Sequence, residues 1–315
     1  MLLISGHTAV GKSEVAILLA EQLDGEIVSV DSMQVYRGLD IGTAKPSGPY
    51  RALVPHHLVD VVDLQQTFDA AQFVHLARQT VAEIRQRGRL PILCGGTGLY
   101  FKALLSGLGS APPADPALRA QLEKVPIAEL LRELSECDPI TYARIDRQNP
   151  RRVIRAIEVI RLTGKPFSAQ RADWLNERPG ATTAHTTAEQ ERQVAPVFCL
   201  NRTSGDLHRR IESRVEAMFE RGLVAETRDL LARGLERNPT AMQALGYRQV
   251  VEHLRGARSL AETIQLVKIR TRQFAKRQLT WLRRQLNAEW IHVDANEPAA
   301  TTAERVKAEF RKQLA

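Results

Sequence analysis

The sequence predicts an α/β protein: a phosphate-loop core built on a parallel sheet, with an inserted all-helical domain and a helical C-terminal region. Three observations carry this. The apolar run Met1–Ile4 leads directly into "GHTAVGKS" at residues 6–13, which fits the strand–loop–helix pattern G-x-x-x-x-G-K-[ST]. Short apolar runs alternate with helical periodicity over residues 1–107, as in sheets with helices on both faces. The alternation breaks at "APPADP" (111–116), and from Leu118 to about Thr163 the periodicity is helical throughout.

The elements follow in order. Leu2–Ser5 reads as a strand, Ser13–Leu23 as a helix with apolar Val15, Ile17, Leu18 and Leu19, and Glu26–Val30 as a strand. A polar segment with Gly38, Gly42, Pro46, Gly48 and Pro49 comes next, then a short strand at Leu58–Val62. A helix from about Asp69 to Arg87 stops at Gly88. Leu90–Cys94 is a strand, and "GGTGLY" (95–100) opens another helix. "RPGATTAHTTAEQER" (178–192) has linker composition, and "VAPVFCL" (194–200) returns to a strand. Helices are expected from His208 to about Leu286, and "EWIHVDA" (289–295) is one late strand. The expected division is a core of residues 1–111 with 194–315, and an insertion of residues 112–193.

Composition narrows the function. The chain has 315 residues, 43% hydrophobic and 25% charged, which is ordinary for a globular protein. No apolar run approaches the roughly 18 residues that span a membrane, so no membrane role is expected. The opening residues are expected to form a strand, not a leader peptide. Cys94, Cys137 and Cys199 lack metal-like spacing and suit a reducing cytoplasm. The net charge of +8 is compatible with a polyanionic partner or with an arginine-rich solvated surface.

Three polar clusters fall at the carboxyl ends of strands, where such sheets bind ligands: Gly6–Ser13, Asp31–Tyr36 and Gly95–Tyr100. In the first, inward-pointing N–H groups, Lys12 and the helix dipole would cradle phosphate, and Ser13 would offer its hydroxyl to Mg²⁺. The loop residues are Gly6, His7, Thr8, Ala9, Val10, Gly11, Lys12 and Ser13. A triphosphatase also needs an apolar strand ending in an acid that holds Mg²⁺. Leu90–Cys94 ends in Gly95-Gly96-Thr97 instead. The one well-placed acid is Asp31, either a turn cap or a group that meets a substrate amine. "GGTGLY" suits close approach by a ligand or by a neighbouring segment. His56 and His57 lack ligand spacing and read as structural.

Two segments are basic. "QNPRRVIRAIEVIR" (148–161) carries Arg151, Arg152, Arg155 and Arg161 beside a core face of Val153, Ile157 and Ile160. "KIRTRQFAKRQLTWLRR" (268–284) holds seven Lys or Arg and no acid, with Phe274 and Trp281 interleaved. It fits a nucleic-acid backbone with bases stacking on rings, or a cationic helix with its aromatics turned into the core.

Taken together, "GHTAVGKS", "VSVDSMQVYRGLDIGTAKP", "HHLVDV", "GGTGLYFKAL", "ADPALR", "NPRRVIRAIEV", "ALGYRQ" and "KRQLTWLRR" resemble the bacterial tRNA dimethylallyltransferases, also called tRNA isopentenyltransferases. They run in order over nearly the whole chain. The resemblance implies a phosphate-loop core with a helical insertion, which agrees with the segmentation. It implies transfer of a dimethylallyl group from dimethylallyl diphosphate to N6 of adenine 37, beside the tRNA anticodon. Thr8–Ser13 would then hold the donor diphosphate and Arg214 help bind it, with Arg210 a weaker candidate. Asp31 would contact the acceptor amine and act as base. The segments Asp31, Ser32, Met33, Gln34; Arg151, Arg152, Val153, Ile154, Arg155; Gln243, Ala244, Leu245, Gly246, Tyr247, Arg248; and Lys276, Arg277, Gln278, Leu279, Thr280, Trp281, Leu282, Arg283 would meet the tRNA. Thr97 and Arg119 would add single contacts.

Two positions depart from the family's pattern. His7 stands where Pro is usual, with little effect expected, and Phe68-Asp69 where Tyr-Ser is frequent. The expected partners are the tRNA anticodon stem-loop and the prenyl donor, with Mg²⁺ as cofactor, in a cytoplasmic monomer. The loop is expected to hydrolyse no nucleotide, though ATP would compete weakly. The rival reading is a phosphate-loop nucleotide kinase, with the insertion as its lid. A non-catalytic RNA-binding protein with a nucleotide site is disfavoured by the placement of Asp31.

Overall fold

The computed structural model describes residues 1–170 and 195–314. The linker-like stretch 178–192 lies outside them. Contacts divide the chain into two units, Met1–Leu104 with Thr182–Ala315, and Leu105–Ala181. The first division thus falls ahead of the 111/112 break expected from the prolines.

The first unit opens with β1 (Leu2–Gly6), α1 (Lys12–Gln22), β2 (Gly25–Val30), α2 (Gly48–Leu53), β3 (His56–His57), α3 (Ala70–Gln86) and β4 (Leu90–Gly95). Helix α4 (Gly98–Ser106) leads into the second unit, which holds α5 (Pro116–Leu122), α6 (Ile127–Cys137), α7 (Pro139–Arg144), α8 (Pro150–Thr163) and α9 (Phe167–Gln170). The chain returns through β5 (Val197–Asn201), α10 (Ser204–Glu220), α11 (Leu223–Ala232), α12 (Tyr247–Leu254), α13 (Leu260–Gln285), β6 (Glu289–His292) and α14 (Ala299–Leu314).

The strands form one six-stranded sheet, in the order β3-β2-β4-β1-β5-β6. Every pairing is parallel. Apolar runs of this kind are buried on both faces, and alternate residues serve opposite cores. Leu3, Val28, Val30, Leu93 and Cys199 join the larger core, with Phe73, Phe101 and Tyr247. Leu2, Ile4, Ile92, Phe198 and Leu200 join the other, beneath Val15 and Leu19 of α1 and Val306 and Phe310 of α14. Because all strands run the same way, the turns after β1, β2 and β4 open on one edge.

The structure departs from expectation at one strand and two helices. The strand placed at Leu58–Val62 is instead β3 at His56–His57. Leu58 and Asp60 take left-handed φ values of 58° and 59°, which regular strands exclude, and only Val62 regains a bridge, to Tyr36. His57 and His56 are structural: His57 Nε2 lies 2.6 Å from the buried Glu26 carboxylate, and His56 Nδ1 meets the Val54 carbonyl. Helices α2 and α14 were not expected. Gly48 and Pro49 read as loop but open a short helix, with Pro in its first turn. At the expected helix start, Asp69 caps α3 by accepting from Ala71 and Gln72 N–H, the same capping chemistry that Ser offers.

The second unit packs its own core around Leu130, Leu134, Val153 and Ile157. Glu158 lies within it, fully buried, and accepts from Asp115 N–H at 2.9 Å and from Arg119 and Arg155 at 2.7 Å each. Against the upward push of burial, the two guanidinium groups hold its carboxyl below the ordinary range.

Candidate active site

The phosphate loop joins β1 to α1. Gly6 has φ 145°, and a Cβ there would lie 2.6 Å from the Leu200 carbonyl of β5, so only glycine fits. Gly11, in the left-handed region at φ 105°, begins α1. Side chains pull the loop carbonyls outward. Arg210 Nε donates to Ala9 O at 2.9 Å and Arg202 Nε to Val10 O at 2.8 Å. A trans peptide points C=O and N–H in opposite directions, so the Val10 and Gly11 amides point away from those two guanidinium groups. Arg202 is itself fixed by Asp206 at 2.8 Å. Neither role of Arg202 was read from the sequence, where it follows the strand without a motif. Arg210, the weaker candidate for the diphosphate, is a loop brace.

Lys12 Nζ donates to His7 O at 2.8 Å. Burial lowers its pKa to about 8; the Arg214 cation pushes the same way, and the Asp31 carboxylate pushes back. Burial likewise lowers the pKa of Arg214, with Asp31 opposing. The Asp31 carboxylate therefore favours the charged forms of both Lys12 and Arg214. His7 is held near pKa 4 by its burial. Its imidazole is neutral, and its Nδ1 faces the Thr8 carbonyl at 3.1 Å, so Nδ1 carries the hydrogen. His7 thus does more than shape the turn: it ties the loop to itself.

Asp31 ends β2. Its Oδ1 accepts from Met33 N–H at 2.8 Å and from Gln34 N–H at 3.2 Å. The residue is a turn cap, and both bonds use a single oxygen. Ser32 N–H donates to Thr97 Oγ1 at 3.1 Å, so Thr97 joins the β2 and β4 turns. The Gln34 amide accepts from Ser29 and donates to the Thr43 carbonyl. Beyond it, Glu226 of α11 gathers Ile41 N–H, Gly42 N–H and the Tyr247 hydroxyl.

The glycines of "GGTGLY" make room for α13. A Cβ on Gly96 would lie 2.6 Å from Gln278 Nε2. Gln278 Oε1 accepts from Thr8 N–H, and its Nε2 donates to Gly96 O, both at 2.9 Å. The close approach read from the sequence is thus made by a neighbouring segment.

Several residues expected at the RNA have other placements. Val153, Ile154, Ala244, Tyr247 and Leu282 are buried in the cores, because they fall on the inward stripe of their helices or turns. Gly246 N–H donates to Gln249 at 3.0 Å and starts α12, with Leu245 half-buried before it. Arg119 and Arg155 are bound to Glu158, as described. Arg151, Arg152, Gln243 and Arg248 are exposed. The basic helix divides in two. Lys268 and Arg272 pair with Glu216 and Glu212 of α10, at 2.6 and 2.9 Å. A helix segment without acids of its own thus draws them from its neighbour. Its second half stays cationic. Lys276, Arg277, Thr280, Arg283 and Arg284 are exposed, and Leu279 is half-buried. A hollow of about 510 Å³ is lined there by Lys276, Arg277, Trp281 and Arg284, among others. Arg283 also stacks over the Trp290 ring at 5.6 Å.

The fold defines the class: a parallel α/β enzyme core whose strand ends carry a glycine-bearing loop at a helix N-terminus. The family model described as IPP transferase matches residues 34–285, and the chain belongs to that family. A tRNA dimethylallyltransferase of Xanthomonas oryzae is 46% identical over 91% of this chain and 88% of its own. One from Citrifermentans bemidjiense is 44% identical over 92% and 91%. The crystal structure of the full-length tRNA isopentenylpyrophosphate transferase of Bacillus halodurans aligns with a TM-score of 0.68 at 37% identity, covering 99% of this chain and 97% of that one. A eukaryotic dimethylallyltransferase caught acting on tRNA aligns with a TM-score of 0.78 at 26% identity, covering 99% and 79%.

Proposed function

We propose that this protein transfers the dimethylallyl group of dimethylallyl diphosphate to N6 of adenine 37 in tRNA. The observation that carries it is the placement, at one edge of the parallel sheet, of the phosphate loop after β1, with Lys12 held on the His7 carbonyl, and of Asp31 in the turn after β2. An exocyclic adenine amine is a poor nucleophile, since its lone pair is delocalised into the ring. The donor must therefore ionise easily. As the allylic C–O bond breaks, its electron pair leaves with the diphosphate, and the N6 lone pair closes on the same carbon. The inward N–H groups, Lys12 and Arg214 stabilise the charge that grows on the leaving group. Asp31 holds the amine through its free-standing oxygen and takes the proton. General-base help of this kind is worth about 10²–10⁴-fold.

Magnesium fits this site through the ligand more than through the chain. Among the described residues no three His, Cys, Asp or Glu side chains gather as a metal site. Mg²⁺ habitually takes few protein ligands beside substrate phosphates. Ser13, exposed on the first turn of α1, is the residue that would hold it, and the ion would add positive charge at the diphosphate.

The exposed cations of α13, from Lys276 to Arg283, would track the phosphates of the anticodon stem-loop while the adenine leaves its stack. Arg151, Arg152, Gln243 and Arg248 are the other exposed candidates for RNA contact. A monomer is the expected assembly, and a tRNA substrate suits a cytoplasmic protein. A kinase is disfavoured because β4 ends in Cys94-Gly95, without the acid such enzymes use for Mg²⁺.

The test supplies unmodified tRNA with either dimethylallyl diphosphate or ATP and weighs the nucleosides by mass spectrometry. The expected result is one five-carbon addition to adenosine, with the prenyl donor alone. Turnover of ATP with the prenyl donor ignored would return the kinase reading.

A further inference from the structure

We infer that Gln278, although it sits in the basic segment of α13, is a positioning residue of the diphosphate site and not a tRNA contact. This rests on the function proposed above. Its amide is spent inside the protein: Oε1 accepts from Thr8 N–H and Nε2 donates to Gly96 O, at 2.9 Å each. A side-chain amide held at both ends has a fixed orientation.

That orientation is transmitted to Lys12. The Thr8 amide hydrogen and the His7 carbonyl belong to one planar trans peptide and point in opposite directions. Gln278 draws the N–H towards α13, so the His7 carbonyl is turned to the other side, where Lys12 Nζ donates to it at 2.8 Å. The next peptide is fixed independently, since the Thr8 carbonyl faces His7 Nδ1. Freed from Gln278, the His7–Thr8 peptide can rotate, and the acceptor that aims the Lys12 ammonium is lost. Gly96 belongs to the same device. Its missing side chain is the space that Gln278 fills, because a Cβ would lie 2.6 Å from Nε2.

Two variants break the brace from opposite sides: Gln278→Met removes both hydrogen bonds, and Gly96→Ala displaces an intact glutamine. Affinity for inorganic diphosphate with Mg²⁺ is measured by calorimetry without RNA, and affinity for an anticodon stem-loop is measured separately. Both variants are expected to bind diphosphate about tenfold more weakly, the order expected for a pair of neutral hydrogen bonds. RNA affinity should change less than about twofold. Gln278→Glu keeps the acceptor for Thr8 and should recover part of the affinity. The opposite pattern, with RNA binding lost and diphosphate binding intact, overturns the inference and makes Gln278 an RNA contact. Unchanged diphosphate affinity in a folded Gly96→Ala also overturns it, even should Gln278→Met not fold. Failure of the wild type to bind either ligand would instead count against the proposed function.

Discussion

Trp281 of α13 lies against Gly98 so closely that a Cβ on the glycine would stand 2.1 Å from the indole Cε3. With Gln278 on Gly96 one turn earlier, it seats the basic helix on the β4–α4 turn. Substituting Gly98→Ala must displace a rigid ring, not the tip of a flexible chain. A loss of about 1–3 kcal/mol of stability is expected, as for overpacked interiors. Thermal unfolding of the variant checks this; an unchanged melting temperature would mean that the ring has room to move.

The cationic half of α13 makes a separate prediction about salt. Lys276 and Arg277 are exposed, whereas Lys268 and Arg272 are paired with α10. Replacing Lys276 and Arg277 by Ala should lower the slope of log affinity for tRNA against log salt by roughly one unit for each phosphate no longer neutralised. Replacing Arg272 should leave the slope nearly as it is. Titrations of the three proteins between low and physiological salt would show it. Equal slopes for wild type and the double variant would place the RNA elsewhere.

Glu26 concerns stability, away from the site. Its carboxylate accepts from Arg87 at 2.7 and 3.1 Å beside His57. The Arg87 hydrogen bonds, aided by His57 and opposed by burial, lower its pKa from 4.5 to about 2. A depressed carboxyl pKa contributes stability above its unfolded value, lost as pH falls from about 4.5 towards 2. Glu26→Gln should therefore cost about 1–3 kcal/mol near neutral pH, the range for a broken buried hydrogen bond. The gap from wild type should narrow as the acid limb is descended. A gap constant from pH 7 to pH 3 would deny the carboxylate its role.

The parallel core, its helical insertion and the three strand-end clusters were legible because each is local: apolar runs, glycine turns and a loop pattern of fixed spacing. Helix α14 was missed, although Ala303, Val306 and Phe310 fall on one stripe, because it follows a polar segment that invites no reading. The left-handed backbone at Leu58 and Asp60 has no signal in those side chains. At the site, the loop and Asp31 could be named from position alone. The braces could not. Gln278, Arg202 and Arg210 reach the loop from 270, 192 and 201 residues away. Nothing in their local sequence separates a residue that holds a loop from one that meets a ligand. Tyr247 shows the same limit, since its partner Glu226 is known only once the chain is folded.

Because Asp31 caps a turn and is also the proposed base, Asp31→Ala confounds two losses. Asp31→Asn separates them. The amide oxygen can still accept from Met33 and Gln34 N–H, so the turn and the tRNA affinity should persist. The amide cannot take a proton from adenine N6. Turnover should fall by at least about 10²-fold, the lower end of general-base effects. Single-turnover rates beside the melting temperature of each variant separate the roles. Near-normal turnover in Asp31→Asn would leave only the cap.

Lys12 gives the last prediction, and its sign follows from linkage. In the free protein burial places the Lys12 pKa near 8, far below the ordinary value of 10.5. A diphosphate in the loop favours the ammonium form, so the pKa must be higher in the complex than in the free site. Binding therefore takes up a proton wherever the free lysine is partly neutral. Diphosphate affinity should be level with respect to this group below about pH 8. It should then decline as pH rises from 8 towards the pKa of the complex. Calorimetry in buffers of different ionisation enthalpy counts the protons directly: uptake should grow between pH 7 and pH 9. Lys12→Arg keeps its charge throughout this range, so its affinity should be lower from misfit of the larger group but should lack the decline. Lys12→Ala should abolish transfer, since the charge that steadies the leaving diphosphate is gone. The same decline above pH 8 in Lys12→Arg would assign the titration to another group, and Lys12 would then be charged whether or not the loop is filled.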